Sequence, residues 1–264
     1  MTPEEYKLLR EEEIEQLAKQ KLIAQLSLSE NQVIPVQQDK QVRDLLYSKL
    51  GITTKKTPDF AISDGTEKSP SDLMLVEISE PTGGSYQKHG ISAQIAQSMG
   101  NAPLSNGMDG NVQRVLLNPP SINIDEEITN KIRKAYSKYS FHRCEKNTPS
   151  INTGIVFCMG ETQHENIKTP GDFHFNLSHG QFFNLVGTAT RLLSGGSKGF
   201  QHAMRKNNKI FSFDFCDEFK FLGFVALFGS HSAEGYNFWL VNKRFLNAKS
   251  NICSVRINEM KRKQ

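Results

Sequence analysis

The 264-residue chain lacks the features that mark several large classes of protein. It has no run of about 18 apolar residues, so no membrane-spanning helix is expected. Its first stretch, MTPEEYKLLREEE, is acidic and typical of a helix, without the basic and apolar regions of a secretory signal. Internal repeats and low-complexity tracts are also absent. Charged residues make up 23% of the chain, an ordinary share, so the sequence predicts a globular fold.

Cysteine is scarce and widely spaced. The four cysteines are Cys144, Cys158, Cys216 and Cys253, and no two of them form a CxxC pair. A zinc knuckle or a disulfide scaffold is therefore not expected, and a cytoplasmic location is predicted. The net charge of +4 is small, so it permits a nucleic-acid partner without requiring one.

The order of the predicted elements indicates an α/β protein. Helices are predicted at 2–26, 40–50, 87–99 and 125–139, and strands at 58–63, 73–79, 112–117 and 153–159. Strands that alternate with helices are typical of crossover connections and a largely parallel sheet. The division expected is an N-terminal helical segment over 1–39, an α/β core over 40–160 and a third segment over 161–264.

Phenylalanine marks the third segment, which holds fourteen of the seventeen in the chain. Strands are predicted there at 209–215, 219–228 and 236–241, with short turns between them. That spacing favours antiparallel hairpins, so we expect an antiparallel Phe-rich extension followed by a basic C-terminal tail.

Two acids flank the first predicted hairpin of the core. Asp59 follows Pro58 at the head of one strand, and Glu77 lies inside the next strand, LMLVEIS. Carboxylates that converge across a hairpin make a hard oxygen site of the kind Mg²⁺ prefers, with water and substrate phosphate completing the coordination. The alternatives are a turn aspartate satisfied by backbone N–H groups and a glutamate at the strand end in water.

This pattern resembles the PD-(D/E)xK superfamily of restriction-endonuclease-like nucleases over roughly residues 40–159. The resemblance implies a central mixed sheet flanked by helices, a Mg²⁺ or Mn²⁺ ion held by Asp59 and Glu77, and DNA or RNA as substrate. Ser79 stands where the family has its lysine. A substitute lysine on a neighbouring element is then implied, with Lys88 and Lys56 as the candidates.

The resemblance also implies contacts outside the acid pair. A glutamate of the N-terminal helix, Glu15 or Glu12, is a candidate to complete the metal site. The residues expected to contact nucleic acid are Lys56, His89, Gln94, Lys131 and Lys134. For the lysines of helix 125–139, the alternative is an ordinary charged face in contact with solvent.

A second resemblance covers the same segment. The PDF strand, the turn EPTGGS, the helix after it and the VLLN strand are similar to the tRNase domains of contact-dependent inhibition toxins. Both resemblances imply phosphodiester cleavage. The alternative hypothesis is a catalytically inactive module that binds nucleic acid or a partner protein, with the Phe-rich half as a candidate homodimer surface.

Overall fold

A computed structural model describes residues 3–50, 57–64, 73–80, 124–138, 152–158, 179–196, 209–229, 237–248 and 251–263. The predicted helix at 87–99, the predicted strand at 112–117 and four candidate site residues lie outside the described residues. Those four are Lys56, Lys88, His89 and Gln94.

Helices and strands alternate through the described part of the chain. The helices are α1 (Pro3–Leu26), α2 (Lys40–Leu50), α3 (Ile124–Lys138), α4 (His179–Leu193), α5 (Lys243–Ala248) and α6 (Ile252–Arg262). The strands are β1 (Val33–Pro35), β2 (Phe60–Ile62), β3 (Met74–Ser79), β4 (Asn152–Cys158), β5 (Ile210–Phe213), β6 (Leu222–Phe228) and β7 (Asn237–Asn242). None of the described helices is both long and apolar enough to cross a membrane.

The strands form one seven-stranded mixed sheet in the order β1-β2-β3-β4-β6-β7-β5. β1, β2 and β3 are successively antiparallel, whereas β3, β4 and β6 are parallel neighbours. The predicted α/β class with a mixed sheet is confirmed. Because parallel strands point the same way, the carboxyl ends of β3, β4 and β6 share one edge of the sheet, which is here called the carboxyl edge.

Helices cover both faces of this sheet. On one face, α1 and α6 pack against alternate residues of the central strands, and α1 contributes a stripe of residues four apart: Ile14, Ala18, Leu22 and Leu26. On the other face, α3 and α4 pack against the opposite set of side chains of β4 and β6. α2 covers the β1–β3 end of the sheet through Val42 and Leu46.

The strand β5 occupies a different place from the one predicted. It forms no hairpin with β6 but pairs in parallel with β7 at the outer edge of the sheet, while β6 and β7 form the predicted antiparallel pair. Burial explains the order. Every residue of β6 is buried, so this strand takes a central position, whereas Ser212 and Phe213 of β5 are only half-buried and suit an edge.

The basic C-terminal segment forms α5 and α6 in place of the expected tail. The Asn251 side chain accepts a hydrogen bond from the Cys253 N–H at 2.8 Å and so caps α6. The buried side chains of Cys253 and Ile257 attach this helix to the core on the α1 face. α4 was also not expected from the sequence, although Leu185, Ala189 and Leu193 have helical spacing and are fully buried.

Gly154 of β4 provides a test of the packing at the centre of the sheet. A methyl group at this position would lie 2.5–2.9 Å from three ring carbons of Phe224, its partner on β6. We expect Gly154→Ala to lower the free energy of unfolding by about 1–3 kcal/mol, measured in urea, because the ring has to move. Combining it with Phe224→Leu should cost less than the sum of the two single changes. An additive double mutant would show that the ring is not the obstacle.

Candidate functional site

The two predicted acids lie opposite each other at the carboxyl edge. Phe60 of β2 pairs with Val76 of β3, so the same register sets Asp59 opposite Glu77. Directly opposite residues of an antiparallel pair point to the same face, with their Cβ atoms about 4.5–5.5 Å apart. The β2–β3 pairing therefore brings together the residues that the sequence singled out.

Asp59 is held by the backbone of the neighbouring strand. Its Oδ2 accepts a hydrogen bond from the Ile78 N–H at 2.6 Å, just beyond the last residue pair of β2 and β3. This is the backbone contact expected of a turn aspartate. Burial raises the pKa of the Asp59 carboxyl, the Ile78 N–H and the Lys138 ammonium act to lower it, and Glu11 acts to raise it. Asp59 is therefore within electrostatic reach of both α1 and α3.

Glu77 is buried, not in water as one alternative held. The residue is 8% exposed, and its Oε1 accepts a hydrogen bond from Nζ of Lys138, the last residue of α3. A buried carboxylate is costly unless it is paired, and the ammonium supplies the opposite charge. Lys138 thus contacts Glu77 directly and also acts on Asp59.

The remaining described candidates have different surroundings. Ser79 follows Glu77 by two residues on the same strand face and is half-buried. The Lys131 ammonium donates to the backbone carbonyl of Glu80, just after β3. Lys134 is exposed. Lys131, Lys134 and Lys138 have the i, i+3, i+7 spacing of one helix face, so two lysines of this face reach the end of β3 and the third lies between them.

The acidic face of α1 adds a further carboxyl. Burial, together with the nearby carboxylates of Asp59, Glu11 and Glu12, raises the pKa of Glu15 to about 7. Glu15 is the residue that sequence reasoning offered, with Glu12, as a third acid. Its electrostatic link to Asp59 is consistent with an acidic patch that spans α1 and the carboxyl edge.

A third lysine reaches the carboxyl edge from the α1 face. Lys21 Nζ donates a hydrogen bond to the carbonyl of Gly229, directly after β6, at 2.7 Å. Burial lowers the pKa of Lys21, while the neighbouring thiol of Cys158 at the end of β4 acts to raise it. Burial raises the pKa of Cys158 itself to about 12, so this thiol stays protonated near neutral pH and is a poor nucleophile.

The donor set limits what this edge can bind. Among the described residues, no group of three or more His, Cys, Asp or Glu is arranged to hold a metal ion. The backbone register nevertheless places two carboxylate residues opposite each other here, and Mg²⁺ usually takes one or two protein carboxylates together with water and phosphate. Comparison with known protein families, with curated proteins and with solved structures found no match to this chain.

Lys138 is the site residue that sequence reasoning missed. The sequence places it only on a basic helix face that contacts either a nucleic-acid backbone or solvent, and it offers Lys88 and Lys56 as the substitute lysine. A signal was present: Lys138 ends a strongly amphipathic helix that leads towards the next strand of the sheet. Only the docking of α3 beside β3 and β4 shows that its ammonium reaches Glu77.

The ion pair yields a prediction about stability. Lys138→Met leaves the Glu77 carboxylate buried without its counter-charge. We therefore expect the free energy of unfolding, measured in urea, to fall by about 1–3 kcal/mol. Adding Glu77→Gln should recover part of this loss, because a neutral amide needs no counter-charge. Arg133→Met is the control on the same helix, since its pair with Glu218 at 2.9 Å is exposed and contributes about 0–1 kcal/mol. Equal losses in Lys138→Met and Arg133→Met would contradict the buried pair.

The raised pKa of Glu15 predicts a pH dependence. The native state binds this proton more tightly than the unfolded chain, whose glutamate has the ordinary value of 4.5. The group therefore favours folding below about pH 4.5 and this contribution is lost as pH rises through about 7. In urea unfolding, Glu15→Gln should have a higher free energy of unfolding than wild type at pH 8. The difference between the two proteins should be smaller at pH 5. Glu30→Gln, a change at an exposed carboxylate, is the control, and parallel pH profiles for Glu15→Gln and wild type would refute the shift.

Proposed function

We propose that the protein is a metal-dependent nuclease that hydrolyses phosphodiester bonds of DNA or RNA at the carboxyl edge. The observation that carries the proposal is the shared position of Asp59 and Glu77 opposite each other, with the Lys138 ammonium acting on both. Two acids and one lysine at the end of neighbouring strands are the components that the restriction-endonuclease-like resemblance requires. Scattered cysteines, of which Cys158, Cys216 and Cys253 are free thiols, favour a cytoplasmic location.

Asp59 and Glu77 are the residues that would hold Mg²⁺ or Mn²⁺. Such an ion, when bound, activates water and neutralises the charge that develops on the phosphate. The backbone N–H of Ile78 orients the Asp59 carboxylate by its hydrogen bond. The β2–β3 pairing supplies rigidity, since Glu77 belongs to β3 and Asp59 directly precedes β2.

Lys138 takes the role that the family assigns to the lysine at the position of Ser79. A serine hydroxyl has a pKa far above neutrality, so Ser79 is a poor proton acceptor and serves as a hydrogen-bond donor or acceptor at most. The Lys138 ammonium carries the positive charge that orients a nucleophile and a phosphate oxygen. It reaches Glu77 from the end of α3, so a lysine can lie beside this acid without the ExK spacing.

The lysines of α3 would hold the nucleic-acid backbone beside the acids. Lys134 is exposed and lies on the helix face between Lys131 and Lys138. Phosphate contacts of this kind carry affinity without sequence preference. Lys131 already contacts the Glu80 carbonyl, so its main contribution is to hold α3 against the end of β3.

Cleavage assays test the proposal. Purified protein with Mg²⁺ or Mn²⁺ should cut DNA or RNA, and Glu77→Ala or Asp59→Asn should lower the rate by at least about 100-fold, since several kcal/mol of charge stabilisation is removed. Glu218→Gln, which removes an exposed acid bonded to α3, should cut at the wild-type rate. Lys134→Ala should raise KM more than it lowers kcat.

Two results would count against a nuclease. Full activity in Glu77→Ala would exclude these residues from the reaction. Absence of cleavage in wild type, together with binding that weakens steeply with salt, would favour the inactive nucleic-acid-binding module. That alternative has its own support, because Ser79 replaces the family lysine and the ammonium of Lys138 already neutralises Glu77.

A further inference from the structure

The ammonium of Lys138 acts on both carboxylates that would hold a divalent ion. It donates a hydrogen bond to Oε1 of Glu77, one of these two proposed ligands. It also acts electrostatically on the carboxyl of Asp59, the other one. A carboxylate oxygen that accepts a hydrogen bond from an ammonium is not available to a metal ion at the same time, because the two cations repel each other.

We propose that Lys138 is an internal counter-ion that competes with the divalent ion for Glu77, so that metal entry and release of the Lys138 ammonium are one exchange. This inference rests on the proposed function, since it takes Asp59 and Glu77 as the metal ligands.

The charges around the pair show why a counter-ion is needed in the metal-free protein. β2 and β3 supply Asp59 and Glu77, and α1 contributes Glu11 and Glu15 to the field at Asp59. Lys138 of α3 supplies a positive charge that acts on both Asp59 and Glu77. Burying carboxylates together without a positive charge is costly, so either an ammonium or a metal ion has to be present.

The structure allows the ammonium to move without displacement of its helix. Lys138 is the last residue of α3, and its charge is carried on a flexible four-carbon stem. The body of α3 stays attached through the buried residues Ile128, Ile132, Ala135 and Tyr136. Lys131, two helical turns before Lys138, adds a contact to the Glu80 carbonyl. Rotation of one side chain is therefore enough to exchange one cation for the other.

The exchange has a consequence for the reaction. While Lys138 is bonded to Glu77, its ammonium is not available to a phosphate or a nucleophile. Once released from Glu77, the Lys138 ammonium would remain tethered to the end of α3 beside the site and could contact the substrate. Coupling of this kind makes the lysine available only in the metal-loaded protein.

Metal binding without any substrate tests the exchange. The dissociation constant of Mn²⁺ is measured at pH 8 by the electron paramagnetic resonance signal of free Mn²⁺ for wild type and three variants. Lys138→Met should bind Mn²⁺ at least about fivefold more tightly than wild type, because the competing cation is gone. Lys138→Arg should bind close to the wild-type value, since it keeps the charge. Lys134→Met is the matched control on the same helix face and should leave the affinity unchanged.

The possible outcomes separate this inference from the nuclease proposal. Unchanged or weaker Mn²⁺ binding in Lys138→Met overturns the competition and leaves the nuclease proposal standing. Absence of Mn²⁺ binding in both wild type and Lys138→Met overturns the metal site, and with it both proposals.

If Lys138→Met does not fold, Lys138→Gln keeps a hydrogen-bond donor near Glu77 while removing the charge, and the same tighter binding is expected. Thermal unfolding should agree, with Mn²⁺ raising the Tm of the neutral variant more than that of wild type.

Discussion

The cost of burying a carboxylate governs the arrangement at the carboxyl edge. Glu77 lies inside an otherwise apolar strand that must pack on both faces, so its charge has to be met within the protein. Lys138 meets it from α3. Because that contact needs the end of α3 beside the end of β3, the electrostatics of one residue constrain how a helix docks on the sheet.

Lysines from helices on both faces of the sheet reach the carboxyl edge. Lys138 and Lys131 reach the end of β3 from one face, and Lys21 reaches the carbonyl after β6 from the other. The carboxyl ends of parallel strands are a common position for binding sites in α/β proteins, because the crossover connections leave a crevice there. Here this edge combines an acid on β3 and one next to β2 with lysines from the helices, which is the arrangement that the proposed function uses.

Local sequence signals predicted much of the fold but not its assembly. The bounds of α2 were predicted as observed, and those of α1 and α3 to within one residue, since capping residues and apolar spacing act within a few turns. The hairpin that sets Asp59 opposite Glu77 was also expected from the sequence. The edge position of β5 was not, because strand order depends on competition among strands for the buried centre, and this competition does not follow the order of the chain.

The sequence by itself determined which residues had to be accounted for: an aspartate at the head of one predicted strand and a glutamate inside the next, apolar strand. These features depend only on residue type and short spacing, so they do not depend on how distant elements of the chain pack. Only the tertiary structure decided which cation meets the glutamate. Lys138 is 61 residues away from Glu77 along the chain, and the packing of buried side chains on α3 against β4 brings its ammonium to that carboxylate. Contacts between residues so far apart in the chain form because apolar surface from many elements is buried together. A short sequence pattern therefore does not predict them.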